Sequence, residues 1–174
     1  MPASMSKQPC ARRFRRTWQG LREPGGSFRA IILPMTPAER LAAIAARFGI
    51  DAMYAFGSRA TEALACVEGG RAFDAGQPSD LDVAVLPLPG RALNTDERVA
   101  LAAALEGLFP APRVDLVVLP EAPPFLALAA VSGELLYAGD RVRESHYQLF
   151  VMRRAGDLAP FERARRAHAL SAGR

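Results

Sequence analysis

From Thr36 onward the apolar residues alternate between two periods. Stripes spaced by three and four predict helices, and short continuous or alternating runs predict strands. Thr36-Pro37-Ala38-Glu39 has the form of a capping box with proline at the first helical position. Leu41, Ile44 and Phe48 then share one helical face, and Gly49 is placed to end the helix. Residues 50–56 predict a first strand, followed by the turn Gly57-Ser58 and a helix from about Arg59 to Val67. A second strand is expected over about 81–86, stopped by Pro87-Leu88-Pro89-Gly90. Thr95-Asp96-Glu97 starts a helix carrying Val99, Leu101, Leu105 and Leu108, which Pro110 and Pro112 end before a third strand at 113–119. Pro123-Pro124 opens a short helix that Gly133 closes, and residues 134–139 form a fourth strand or extended segment. From Asp140 a helix is expected to about Arg154, and a separate one from Pro160 to Ala169. This order predicts an α/β (α+β) fold with a small mixed sheet backed by helices.

Three strand positions break the apolar pattern with aspartate. Asp80 and Asp82 flank Leu81, so on a strand they share one face while Leu81, Val83 and Val85 share the other. Asp115 stands inside the third run, in phase with Val117 and Leu119. Carboxylates on a surface that otherwise wants apolar groups need hydration, hydrogen bonds or a cation. A hard divalent ion such as magnesium, which accepts a few carboxylates together with water and substrate phosphates, meets that need. Gly57 lets the backbone approach a ligand closely, and Ser58 with the following amides can face a phosphate at a helix start.

Gly57-Ser58, then Ser79-Asp80-Leu81-Asp82, then Val114-Asp115-Leu116, in this order and in these contexts, resemble the active site of the DNA polymerase β nucleotidyltransferase superfamily. Within it the chain is most similar to the minimal nucleotidyltransferases of the MntA antitoxin type, over roughly residues 36–167. The resemblance implies a polymerase β-like fold and transfer of AMP from ATP to a hydroxyl. It implies magnesium held by Asp80, Asp82 and Asp115, with Asp115 also orienting or deprotonating the acceptor. Gly57 and Ser58 would grip the phosphates, with Arg59 as a possible charge clamp. The implied acceptor is a tyrosine of a HEPN-type toxin, which the protein would silence as its antitoxin. Two alternatives stay open: a binding module that masks its partner without chemistry, and a transferase for a small molecule such as an antibiotic. One departure stands out. The 21 residues between Ser58 and Asp80 make a connector about twice the usual length for the family. Loop extension costs little closure entropy, so the site can survive it.

Charge sharpens the picture. The chain carries net +4, but residues 1–34 hold seven Lys or Arg and one acid, which leaves −2 for residues 35–174. The basic character therefore sits in an arm, expected to be disordered or an over-extended translation start ahead of Met35. The nucleotidyltransferase domain, with its C-terminal helices, is expected to span 35–174. Direct nucleic-acid binding is not expected of that mildly acidic domain. Lys7 is the only lysine, and there is no Gly-x-x-x-x-Gly-Lys loop, which argues against P-loop and protein-kinase chemistry. His146 and His168 each follow an arginine by five positions, as in HEPN ribonuclease motifs. Arginine is too common here for that spacing to weigh against three strand-borne acids. Cys10 and Cys66 do not make a disulfide framework or a zinc site, and no apolar segment follows Arg12-Arg13 as an export signal would require. No membrane association is expected, and cytoplasm is the expected compartment.

Overall fold

The computed structural model describes residues 35–172. The expectations for residues 1–34 lie outside the described residues. Helix α1 spans Pro37–Phe48 and strand β1 Ile50–Phe56. After a 3-10 turn at Gly57–Arg59 come α2, Ala60–Val67, and β2, Leu81–Pro87. They are followed by α3, Thr95–Glu106, and β3, Val114–Val118. The chain then runs through α4, Pro124–Val131, and β4, Glu134–Ala138, into α5, Arg141–Ala172. The capping box of α1 forms as read: Thr36 Oγ1 accepts from the Glu39 amide at 3.2 Å, and Glu39 Oε2 accepts from the Thr36 amide at 2.8 Å. Asn94 and Glu97 repeat it ahead of α3.

The four strands form one mixed sheet in the order β3-β2-β1-β4. Strand β1 is antiparallel to both β2 and β4, while β2 and β3 run parallel. A parallel pair needs a crossover, and α3 supplies it. Alternation along the strands divides the core in two. Met53, Ala55, Leu81, Val83 and Val85 meet Leu41, Phe48, Ala63, Leu101 and Leu105 from α1, α2 and α3. Ala52, Tyr54, Ala84 and Leu86 meet Ala127, Ala130, Val131 and Val151 from α4 and α5. Helices therefore cover both faces of the sheet. The open part is an end of the sheet. Gly133 makes the tight passage into β4 possible, since a Cβ there would lie 2.3 Å from the Ala55 carbonyl oxygen.

One boundary differs from the sequence reading. Helix α5 is continuous over 32 residues and runs through Pro160, where two helices were expected. Proline removes one amide donor and crowds the carbonyl four residues earlier. That carbonyl belongs to Gly156, and both residues are exposed, so water can take the freed acceptor. The start of α5 is fixed by Asp140, whose Oδ1 accepts from the Val142 and Arg143 amides at 2.9 and 3.1 Å. Buried polar groups tie α5 to β1. Tyr54 donates to Glu144 Oε1 at 2.6 Å, and Arg143 grips the buried Asp51 through two bonds of 2.8 and 2.7 Å. No helix among the described residues is long and apolar enough to cross a membrane.

Candidate active site

The end of β1, the start of β2 and the start of β3 meet at the open end of the sheet. Phe56 pairs with Asp82 in the antiparallel register, and Asp82 pairs with Asp115 in the parallel one. Gly57 follows Phe56 directly, so the turn lies over Asp82. The turn comes very close: a Cβ at position 57 would stand 2.5 Å from Asp82 Oδ2, and Gly57 holds φ +74°. Both facts require glycine. Gly57 and Ser58 are exposed.

The three acids are not equivalent. Asp80 is exposed and stands one residue ahead of β2, in the loop, where the sequence reading put it on the strand. Asp82 is half-buried inside the strand. Burial raises its carboxyl above the ordinary aspartate value of 3.8, and the nearby charges of Asp115 and Asp80 push the same way. No hydrogen bond or ion pair from a described residue offsets this. Asp115 has a partner in Arg113, whose Nε lies 2.8 Å from Oδ1, with both side chains substantially exposed. Arg113 stands one residue ahead of β3 and two before Asp115, a spacing that the sequence also shows.

Arg59 is placed otherwise than expected. It is among the most buried side chains described, at 2% exposure, and its guanidinium is taken up by Glu62 and by the backbone carbonyls of Asp74 and Ser79. A guanidinium so engaged is not available to clamp phosphates. The exposed guanidinium beside the acids is Arg113.

Among the described residues no three His, Cys, Asp or Glu side chains are brought together so as to hold a metal ion by themselves. The acids at this end offer carboxylate oxygens, and among the described residues Asp80 and Asp82 have no cationic partner. Hard oxygen donors with places left for water and phosphate suit magnesium, which seldom takes an all-protein cage. The residues present fit that ion. A separate cavity of about 380 Å³ lies at the opposite end of the sheet, lined by Asp51, Leu86, Pro87, Arg91, Arg143 and Tyr147 among others, away from the acids.

Residues 39–142 match the family model described as polymerase beta, nucleotidyltransferase. The chain belongs to this nucleotidyltransferase family. The fold is also that of several solved structures. A mutant of the MntA toxin–antitoxin pair superposes with a TM-score of 0.59 at 19% identity, covering 76% of this chain and 98% of that one. A toxin–antitoxin structure with AMP-PNP gives 0.57 at 20% identity, with 76% and 98% covered. A tri-AMPylated Shewanella oneidensis HEPN toxin in complex with MNT antitoxin gives 0.56 at 20% identity, with 77% and 96% covered. None of the curated proteins matches the chain.

Proposed function

We propose that this nucleotidyltransferase moves AMP from ATP to a hydroxyl, that of a tyrosine on a HEPN-type toxin, and so acts as its antitoxin. The observation that carries the reading is the juxtaposition of Asp82 and Asp115 on adjacent parallel strands under a turn that only glycine can make. Support for the acceptor comes from the similar solved structures, one holding AMP-PNP and one a tri-AMPylated HEPN toxin beside its antitoxin.

In this reading Asp80, Asp82 and Asp115 hold magnesium. When bound, magnesium neutralises charge that builds on the phosphate oxygens. Gly57 leaves room for the triphosphate above Asp82, and the Ser58 region binds its distal phosphates. The acceptor oxygen attacks the α-phosphorus, the bond from that phosphorus to the β-bridging oxygen breaks, and pyrophosphate leaves. Asp115 orients the hydroxyl and takes its proton. With Arg59 engaged elsewhere, Arg113 contacts the phosphates, exchanging its partner Asp115 for the nucleotide.

The supporting experiment is intact-mass measurement of the toxin after incubation with this protein, ATP and magnesium. Added AMP groups that disappear with Asp80→Asn/Asp82→Asn support the reading, and an unmodified toxin refutes it. A second reading, masking by binding, draws on α5. Val142, Leu149, Phe150, Met152, Leu158 and Phe161 are all exposed on that helix, spread around it, and a protein partner enclosing the helix would cover them. Rescue of growth by the double aspartate variant would favour it.

A further inference from the structure

The long connector between the turn and the first acid is held at defined points, and one side chain does most of the holding. Arg59 Nε donates to Glu62 Oε2 at 3.0 Å. Its two terminal nitrogens donate to the carbonyl of Ser79 at 3.1 Å and that of Asp74 at 2.5 Å. Its guanidinium carbon lies 3.9 Å from the centre of the Phe73 ring, and Phe73 packs on Phe109 at 5.5 Å in the core. Glu62 completes the set by accepting from the Asp74 amide at 2.6 Å. The connector is therefore fastened at its middle, through Phe73 and Asp74, and at its end, through Ser79.

Ser79 immediately precedes Asp80. On the far side the Leu81 amide donates to the Arg113 carbonyl at 3.0 Å. Asp80 thus sits between two fixed backbone points, although it lies outside the strand. We propose that Arg59 is a positioning residue for Asp80: it ties the connector down so that this carboxylate is held ready to bind metal instead of being ordered when metal arrives. The proposal rests on the metal-dependent transferase reading. Its physical basis is preorganisation, because a carboxylate at the end of a loose loop loses conformational freedom on binding and a fastened one does not. Arginine suits the task through its planar fork of donors and its stacking face, neither of which lysine offers. The same fastening explains how a doubled connector is compatible with a working site.

The test is Mn2+ binding in the presence of a non-hydrolysable ATP analogue, followed by the electron paramagnetic resonance signal of free Mn2+, alongside kcat and KM for ATP. Arg59→Lys, in protein shown to be folded by circular dichroism, is expected to weaken Mn2+ binding about tenfold, the scale of lost support around metal ligands. Its kcat should fall with little change in KM. Glu62→Gln, which keeps the shape but removes one charged anchor, should shift binding the same way by less. In an Asp80→Asn background Arg59→Lys should cause no further loss, because the residue it positions is already disabled. Wild-type Mn2+ affinity in folded Arg59→Lys would overturn the proposal, as would a full further loss in the Asp80→Asn background. If Arg59→Lys does not fold, unchanged affinity in Glu62→Gln overturns it instead. Asp80→Asn and Asp82→Asn alone serve as the reference: if neither weakens Mn2+ binding, it is the metal reading that fails.

Discussion

Gly57 and Asp82 are so close that a single methyl group at position 57 would lie 2.5 Å from Asp82 Oδ2. The turn and the acid are therefore one unit, and neither can move without the other.

Gly57→Ala tests that unit directly. The substitution meets both the carboxylate and a φ of +74°. It should cost roughly 1 kcal/mol or more of stability from the backbone conformation alone. Nucleotide transfer should drop about a hundredfold, since a displacement near 1 Å at reacting groups has that effect. Thermal melts and initial rates measured on the same sample separate the two losses.

Asp82→Asn should stabilise the metal-free protein at neutral pH. The folded state raises the Asp82 carboxyl above its ordinary value, so ionising it costs more folded than unfolded. The folded state then binds the proton more tightly, and stability falls as pH rises through the window from 3.8 upward. The advantage of Asn is full above the raised folded value and shrinks to nothing as pH drops below 3.8. Melting curves across this range, wild type against variant, read it out. Magnesium with an ATP analogue should raise the wild-type midpoint and leave Asp82→Asn nearly unmoved. A variant less stable than wild type at neutral pH would show that the carboxylate is already compensated.

Arg113→Ala distinguishes a phosphate contact from a plain surface ion pair. The pair with Asp115 is exposed on both sides, and such pairs contribute about 0–1 kcal/mol. The melting midpoint should barely change. KM for ATP should rise about tenfold, the loss of one charge-assisted hydrogen bond to phosphate. An unchanged KM would leave Arg113 as a surface partner of Asp115 and nothing more.

Arg143→Ala probes the other end of the sheet. Asp51 is 2% exposed and receives two bonds from the half-exposed Arg143. Removing the arginine strands a buried carboxylate, which should lower stability clearly, though by less than breaking a fully buried pair. Chemical denaturation measures this. Specific activity of the protein that remains folded should match wild type, because the pair lies away from the acids.

The sequence by itself determined the elements and the chemistry they carry. Capping boxes, prolines and apolar periods are local signals, so α1 to α4 and all four strands lie close to where the pattern put them. The order of Gly57, Asp82 and Asp115 is likewise written in the chain. Where the pattern misled, solvent exposure and partners set by folding decided the outcome. Pro160 reads as a helix break, yet a solvent-facing carbonyl at Gly156 lets α5 continue. Asp51 with Arg143, and Tyr54 with Glu144, join β1 to α5 across about ninety residues, and no period in the sequence announces such a pair. Arg59 is the sharpest case. Beside Gly57-Ser58 it reads as a cation for phosphate, but its direction is set by Phe73, Asp74 and Ser79, which only folding brings around it. A residue's type and spacing follow from the sequence, whereas the partner that claims its charge is chosen in three dimensions, where a buried guanidinium must satisfy its donors on whatever surrounds it.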